Sequence, residues 1–254
     1  MKLLGIEQIR KYELDVVLEQ YQNLINGKDL LELGSGDGFQ LKYLKKICKS
    51  AVGVDVEDGS CSPNKLENIQ YYDGKNLPYE DESFDVVFSS NVLEHVQNID
   101  DIEKEILRVL KPNGVAIHVL PSASWRIFTI LLHYIYLPYQ VATFIARRLP
   151  LSRKVQAKIP GHHSPKVVNH TPLSLISDTL MARRHGERGN KLTEIYYFSS
   201  RFWLGHFKRA GWKNLESRSS GLFYANNVVG LTFKSARLLS KVFGSGTVIY
   251  KMEK

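Results

Sequence analysis

The stretch LLELGSGDG, residues 30–38, decides how this chain is interpreted. A short apolar run ends in glycines at alternate positions, Gly34, Gly36 and Gly38, which predicts a buried strand, a tight loop and a helix start. Glycine is needed where the backbone takes a positive φ or passes close to a ligand. The spacing matches neither a phosphate-binding Walker loop nor the dinucleotide pattern G-x-G-x-x-G, and a glycine loop alone is also compatible with a plain turn.

The flanking sequence alternates between strand-like and helix-like patterns. We predict strands at 29–33, 51–55, 68–72, 84–88, 115–120, 213–218 and 247–250. We predict helices at 6–25, 39–48, 100–110 with Asp100 as N-cap, 199–210 and 235–243. Strands that alternate with helices are typical of right-handed crossovers, so we expect a mostly parallel sheet covered on both faces.

An acidic residue, Asp55, ends the second predicted strand about twenty residues after the glycine loop. A carboxylate at that place can accept hydrogen bonds from both hydroxyls of a ribose. A strand-end residue that simply faces water is the alternative, but the distance from the glycine loop favours ribose binding.

Three more segments extend the pattern: YDGKNLPYEDESFDVV at 72–87, SSNVLEHV at 89–96 and LKPNG at 110–114. Together with the loop and Asp55, they resemble the class I S-adenosylmethionine-dependent methyltransferases, in the group that acts on small molecules and lipids. The resemblance is close over residues 28–120 and weak elsewhere. It implies an α/β fold with a Rossmann-like, seven-stranded, mostly parallel sheet, helices on both faces, an antiparallel last strand and a helical insertion after strand 5.

The resemblance also implies S-adenosylmethionine as cofactor, with these binding residues: Glu32, Gly34, Ser35, Gly36, Gly38, Asp55, Asp73, Gly74 and Asn91. Glu32 would hold the methionine ammonium, and the glycine loop would lie against the amino acid part. Asp55 would accept the ribose hydroxyls. Asp73 would reach the adenine amino group beside Gly74, and Asn91 would lie next to the methionine part.

No catalytic residue follows from the sequence. His95 lies in the LEH segment. In the methyltransferase family this segment resembles a helix start near the cofactor, so we interpret His95 as a structural residue. Other histidines occupy a basic stretch, namely His162, His163, His170 and His185. Their spacing lacks the i, i+4 pattern of a helical zinc pair, so we predict no metal and interpret them as part of a solvated loop. A role for one of them as a general base is the alternative.

The charge is distributed unevenly along the chain. Residues 1–120 hold 13 Lys and Arg against 21 Asp and Glu, whereas residues 121–254 hold 21 against 5. A basic half of this kind favours an anionic partner such as phosphate, nucleic acid or a lipid surface. Attraction between the two halves is the other interpretation.

Residues 127–146 are apolar and aromatic over a length that would admit a membrane span. Pro138 interrupts them, so we predict two helices, 123–137 and 139–149. They fit a lid over the substrate cleft, a dimer face or a hairpin that dips into one leaflet. Basic residues flank the segment, which suits contact with an anionic membrane surface.

The chain is predicted to be a single methyltransferase domain, 1–254, with a cofactor-binding core at 28–120 and a helical, basic insertion at 122–190. We expect a methyltransferase for a small or lipid-linked molecule. The alternatives are an RNA methyltransferase that uses the basic half, although nucleic acid is the less favoured partner, and a non-catalytic cofactor-binding scaffold. The chain has only two cysteines, too few for a disulfide framework, and its first residues lack the apolar run of a secretory signal. We therefore predict a cytoplasmic location, peripheral at the membrane if the substrate is lipid-linked.

Overall fold

The structure is a computed structural model, and it describes residues 4–56, 69–148, 182–225 and 231–254, apart from the side chains of 140 and 144–148. The histidines at 162, 163 and 170 and the part of the predicted insertion from 149 to 181 lie outside these ranges, as does the last residue of the predicted helix 139–149.

The strands of the described chain are β1 Asp29–Leu33, β2 Ser50–Val56, β3 Ile69–Tyr72, β4 Phe84–Ser90, β5 Leu110–Pro121, β6 Lys213–Ser219 and β7 Thr247–Glu253. Its helices are α1 Ile6–Ile25, α2 Leu41–Leu44, α3 Ile99–Val109, α4 Ala123–Arg148, α5 Glu194–Tyr197, α6 Ser200–Arg209 and α7 Phe233–Phe243, with a 3₁₀ turn at Leu93–His95.

The seven strands form one sheet in the order β3-β2-β1-β4-β5-β7-β6. Strands β1 to β5 run parallel to one another, and β7 runs antiparallel to its two neighbours, β5 and β6. The direction of strand succession reverses between β1 and β4, and in open sheets such a switch point is where ligands bind. This topology confirms the predicted fold class, including the antiparallel last strand.

Helices cover both faces of the sheet, because alternate side chains of each strand point to opposite sides. Leu30 and Phe88 belong to the apolar cluster beneath α1 and α2. Leu31 and Val87 belong to the opposite cluster, which α3 and α6 complete. The central strands are therefore buried on both faces, which explains their nearly continuous apolar sequence.

A third apolar cluster joins elements that are distant in sequence. Its buried residues are Ile9, Trp125, Phe198, Leu222, Tyr224 and Ala236. They come from α1, α4, α7 and the segments next to α5 and β6. Because α1 ends beside the start of β1 and α4 leaves the end of β5, this cluster lies at the carboxyl edge of the sheet.

Two helix predictions differ from the structure in detail. Helix α3 begins at Ile99 after Asn98, so Asp100 lies in the first turn and the prediction that it is the N-cap was wrong. A carboxylate there still favours the helix, since it faces the positive end of the helix dipole. Helix α2 is shorter than predicted, because i→i+3 bonds such as Lys46 N to Tyr43 O replace the helical pattern.

The prediction of two helices around Pro138 was also wrong, because α4 continues through this residue as one helix of 26 residues. The φ that proline imposes is compatible with a helix, and the lost N–H leaves only the carbonyl of Tyr134 without its i+4 donor. No helix in the described part of the chain combines the length and the apolar character that crossing a membrane requires.

Candidate functional site

The predicted site residues follow four strands that are neighbours in the sheet. The register pairs Leu33 of β1 with Val54 of β2 and with Ser89 of β4, and it pairs Val56 with Tyr72 of β3. One or two residues after these positions come the glycine loop after β1, Asp55 on β2, Asn91 after β4 and Asp73 after β3. Adjacent strands are about 4.8 Å apart, so these groups lie side by side along the carboxyl ends of the strands, which form one edge of the sheet.

Backbone hydrogen bonds and positive φ angles shape the glycine loop. The N–H groups of Gly34 and Ser35 both donate to the carbonyl of Val54, at 2.8 and 3.1 Å. Gly34, Gly36 and Gly38 have φ of 72°, 57° and 78°, the left-handed region that favours glycine. The loop therefore needs its glycines for conformation, as the sequence predicted.

Two of these glycines differ in what surrounds them. A Cβ on Gly34 would overlap the side chain of Val92, with Cγ1 at 2.8 Å, whereas a Cβ on Gly36 would meet no protein atom within 4 Å. The space beside Gly36 is therefore open, as expected for backbone that a ligand approaches.

Asp55 connects the second strand to this loop. Its Oδ2 accepts a hydrogen bond from the N–H of Gly36 at 2.5 Å, and its Oδ1 accepts from the N–H of Val56 at 2.7 Å. A carboxylate oxygen has two lone pairs, so each oxygen retains the capacity to accept from a ribose hydroxyl. The observed role of Asp55 is to orient the loop, and the binding role stays a prediction.

Glu32 is a buried carboxylate on β1 immediately before the loop. Glu32 is 2% exposed, and its Oε2 has no hydrogen-bond partner among the described residues. Burial raises the pKa of Glu32 to about 8, and the negative charges of Asp55 and Asp37 add to the rise. A buried acid without a partner is costly unless a cation pairs with it, so this position suits an ammonium group.

Asp73 and Gly74 form a turn after β3. The Asp73 carboxylate accepts from the N–H groups of Lys75 and Asn76, at 2.8 and 2.7 Å, and these bonds lower its pKa. Gly74 has φ of 78°. An open depression of about 420 Å³ beside the turn is lined by Val56, Tyr71, Tyr72 and Asp73. Its aromatic wall suits a flat heterocycle such as adenine.

Asn91 has φ of 57°, in the left-handed region that asparagine tolerates better than most residues. Its N–H donates to the carbonyl of Val119 at 2.8 Å, and its Nδ2 donates to Ser90 Oγ at 3.1 Å. The bend turns the chain from β4 towards the glycine loop and brings Val92 against Gly34.

The structure thus brings all nine predicted residues to one edge of the sheet, while their individual ligand contacts stay predictions. The donors and acceptors fit S-adenosylmethionine: a buried acid for its ammonium, an acid at the strand end for its ribose and a turn beside an aromatic depression for its adenine. The fit rests on the unpartnered Glu32 oxygen and on the open space at Gly36.

Sequence reasoning missed two residues that shape the loop. Val92 packs against Gly34, and a Cβ on Gly53 would overlap Ser35, so glycine on β2 makes room for the loop. Ser35 Oγ in turn donates to the carbonyl of Glu32 at 2.9 Å. The glycine at position 53 was visible inside a predicted strand, where an isolated glycine signals a close backbone approach.

His185 differs from its predicted place in a solvated loop. Its ring packs against Trp125, with centroids 4.6 Å apart, and against His95 at 4.8 Å. Burial lowers the pKa of His185 to about 3. No sequence signal connects residues 95 and 185, because only the fold brings segments so far apart in the chain together.

Comparisons with known proteins agree with this geometry. Residues 31–118 match the family model of a methyltransferase domain. The chain is 27% identical over 112 residues to a probable S-adenosylmethionine-dependent methyltransferase of Mycolicibacterium smegmatis, across 42% of this chain and 44% of that protein. It is 27% identical over 128 residues to a ubiquinone biosynthesis O-methyltransferase of Bradyrhizobium diazoefficiens, across 48% and 49%. The chain spans about half the length of these curated relatives.

A solved structure extends the fold similarity to nearly the whole chain. The S-adenosylmethionine-dependent methyltransferase of Mesorhizobium loti superposes with a TM-score of 0.51 at 13% identity, covering 95% of this chain and all of that one (100%). This likeness concerns the fold.

Proposed function

The chain belongs to the class I S-adenosylmethionine-dependent methyltransferase family, and on this premise we propose that it binds S-adenosylmethionine and transfers the cofactor's methyl group to a small or lipid-linked acceptor. The observation that carries the proposal is the buried Glu32 carboxylate, whose Oε2 has no hydrogen-bond partner among the described residues, directly before a glycine loop with open space beside Gly36. A cationic ligand that lies along the loop satisfies this acid.

The chain's own residues bind and align the reactants. The cofactor supplies an activated methyl group on its sulfonium sulfur. Glu32 holds the ammonium, Asp55 receives the ribose hydroxyls, and the turn at Asp73 receives the adenine. Fixing the methyl carbon in line with an acceptor atom lowers the entropic part of the barrier, which is the main contribution of the protein to such a displacement.

A large apolar face next to the site supports a lipid-linked acceptor. Phe128 of α4 contacts Phe243 of α7 at 5.2 Å between ring centroids, so the two helices lie side by side. The exposed apolar residues of this α4–α7 face are Ile127, Leu131, Tyr134, Ile135, Tyr136, Tyr139, Leu238, Val242 and Phe243. Exposed patches of this extent mark interaction sites.

The charges on the two helices match an anionic membrane surface. Neither helix contains an aspartate or glutamate, and α7 carries Lys234, Arg237 and Lys241 among its apolar residues. Basic residues next to exposed aromatic and aliphatic side chains favour binding at the interface of an anionic bilayer. The proposal is therefore that the α4–α7 face contacts such a surface and that the acceptor reaches the site from it.

Calorimetric titration with S-adenosylmethionine tests the cofactor part. Asp55→Asn keeps the size of the side chain but removes its charge and one of its two acceptor oxygens, so we expect the affinity for S-adenosylmethionine to fall about 10- to 100-fold. Glu80→Gln, an exposed acid outside the site, is the matched control. Unchanged affinity of Asp55→Asn contradicts the assigned site.

Transfer of a labelled methyl group into fractionated cell extract tests the activity. Label in an organic-soluble or small-molecule fraction supports the proposal. Label in RNA supports the alternative of an RNA methyltransferase. Cofactor binding without label in any fraction supports a non-catalytic scaffold.

Co-sedimentation with vesicles tests the membrane part. We expect binding to vesicles that contain phosphatidylserine and loss of binding in Ile135→Asp with Val242→Asp, which are 69% and 76% exposed. Leu192→Asp is the control, since Leu192 is 70% exposed but lies outside both helices. Equal binding of the double variant and the wild type contradicts membrane contact through the α4–α7 face.

A further inference from the structure

Two histidines and a glutamate meet beside the proposed cofactor site. Glu94 and His95 belong to the 3₁₀ turn that follows β4, and His185 comes from the segment before α5. One ligand atom from each of the three residues lies within 4.8 Å of the other two. The turn follows directly after Val92, which packs against Gly34 of the glycine loop.

The Glu94 carboxylate lacks a partner. The residue is 3% exposed, and neither of its carboxylate oxygens has a hydrogen-bond donor among the described residues. The nitrogen His95 Nε2 lies 3.8 Å from Oε1, beyond hydrogen-bond distance. A buried carboxylate of this kind is strongly unfavourable in its charged form unless a cation compensates it.

Nearby positive side chains are already engaged with other groups. Arg10 and Arg188 act electrostatically on Glu94. Arg10 pairs with Glu13 at 2.8 Å. Arg188 donates to the carbonyls of Leu93 and Val96, at 3.2 and 2.7 Å. Neither oxygen of Glu94 is hydrogen-bonded to these side chains, so both oxygens are free to contact a ligand.

The backbone around the three side chains is held firmly. The carbonyl of Glu94 accepts from the N–H of Glu187 at 2.9 Å. Glu194 Oε1 accepts from the N–H groups of His185 and Gly186, at 2.8 and 2.6 Å. These bonds hold the backbone that carries His185 against the turn that carries His95.

We propose that Glu94, His95 and His185 bind one divalent transition-metal ion of the zinc type. Two imidazoles and one carboxylate are a ligand set that zinc uses in sites that keep an open coordination position. Ligand atoms around tetrahedral zinc are roughly 3.3 Å apart, so the ligand atoms of the cluster must move closer together by up to about 1.5 Å. The His95 side chain is 45% exposed and has room for this adjustment.

The open position gives the metal a role in the transfer, and this part rests on the proposed function. A hydroxyl oxygen of the acceptor that binds the metal loses its proton to water more readily. That oxygen then forms the bond to the methyl carbon while the carbon–sulfur bond breaks, and the electron pair of that bond stays on sulfur. The acceptor class implied is therefore an alcohol or phenol.

Cobalt titration of the chelator-treated full chain tests the site without any cofactor. We expect one Co²⁺ per chain with visible absorption typical of a four- or five-coordinate site, displaced by Zn²⁺. His185→Gln removes one ligand, so we expect its affinity to fall at least about tenfold. His133→Gln is the control, because it removes a histidine on α4 that lies outside the cluster.

The outcomes separate this inference from the proposed function. Equal cobalt affinity of His185→Gln and wild type overturns the metal site, even if S-adenosylmethionine still binds and is turned over. Loss of S-adenosylmethionine binding in Asp55→Asn with intact cobalt binding supports both assignments. Circular dichroism of each variant checks folding, and Glu94→Gln provides a second ligand variant with the same expected loss.

Discussion

The three loop glycines share positive φ, yet the surroundings of Gly34 and Gly36 give them different tasks. Gly34 is required by the protein itself, because Val92 occupies the space that a side chain would need. Gly36 has free space around it. Packing therefore requires glycine at position 34, whereas the requirement at position 36 is one of backbone conformation, with space left for a ligand.

We predict that alanine at position 36 mainly weakens cofactor binding, whereas alanine at position 34 mainly destabilises the fold. Gly36→Ala should cost about 1 kcal/mol of unfolding free energy from its left-handed backbone, but should lower S-adenosylmethionine affinity at least about tenfold. Gly34→Ala should cost roughly 2 kcal/mol or more, because of the overlap with Val92. Urea denaturation and calorimetry measure both effects. Full affinity in Gly36→Ala would show that the cofactor does not approach this residue.

Glu32 couples cofactor binding to pH. Burial holds its pKa at about 8 in the free protein, so it is mostly protonated near neutrality, whereas pairing with an ammonium requires the ionised form. We therefore predict that S-adenosylmethionine binding releases a proton and strengthens from pH 6.5 to pH 8. Titrations in buffers of different ionisation enthalpy measure the proton count, and Glu32→Gln should abolish the release. A release that persists in Glu32→Gln assigns the proton to another group.

At the scale of the elements, a buried ion pair joins α4 to α5. Arg126 and Glu194 are both fully buried, and Arg126 Nε lies 2.6 Å from Glu194 Oε2. The other oxygen of Glu194 accepts from the backbone that carries His185. This contact fixes the start of α4 and the segment of the metal cluster to each other.

We predict that Arg126→Met destabilises the chain by roughly 3 to 5 kcal/mol, since it leaves a buried carboxylate without its partner. Adding Glu194→Gln should recover much of the loss, because the amide oxygen still accepts the two backbone bonds and carries no charge. Arg201→Met, at an exposed position on α6, should change stability by less than about 0.5 kcal/mol. Chemical denaturation measures all three. An equally stable Arg126→Met would mean that water compensates Glu194.

At the scale of the whole molecule, buried carboxyl groups make stability depend on pH. Burial raises the pKa of Glu32 and Glu94 to about 8 and that of Glu103 to about 7, from 4.5. The unfolded chain releases these protons at lower pH than the folded chain does. Stability therefore falls as pH rises from 4.5 towards 8.

Histidines act in the opposite direction at lower pH. Burial lowers the pKa of His118 and His185 to about 3, from 6.5. The folded chain then binds fewer protons than the unfolded chain between pH 3 and 6.5, so this contribution to stability rises with pH and is complete above 6.5. Above pH 6.5 the histidines no longer change the stability with pH, so only the carboxyl groups determine its slope.

We predict that the unfolding free energy of the chelator-treated chain decreases between pH 6.5 and 8. Each protonated carboxyl contributes at most about 1.4 kcal/mol per pH unit. Glu32→Gln should make the slope smaller, with Glu94 and Glu103 still contributing, and Glu80→Gln, which is exposed, should leave it unchanged. Urea denaturation at several pH values measures the slope. A flat wild-type curve would mean that these acids are ionised in the folded chain.

The sequence predicted the local elements well, because hydrophobic periodicity and glycine punctuation act over short distances. Strand positions from β1 to β7 and the glycine loop follow from residues near each other in the chain. Proline gave a wrong prediction at Pro138, since its effect on a helix depends on what the rest of α4 contacts. Likewise, Asp100 has the chemistry of an N-cap, but α3 begins one residue before it, at Ile99, and Asn98 is the N-cap.

The amino-acid sequence alone was enough for the α/β class, the positions of the strands along the chain and the glycine loop, because each depends on patterns within a few tens of residues. The three-dimensional fold was needed to show that His185 meets His95, that among the described residues Glu32 Oε2 and both oxygens of Glu94 have no hydrogen-bond partner, and that α4 and α7 both expose apolar residues. Burial and pairing depend on segments far apart in the chain, and no local pattern encodes which of them meet.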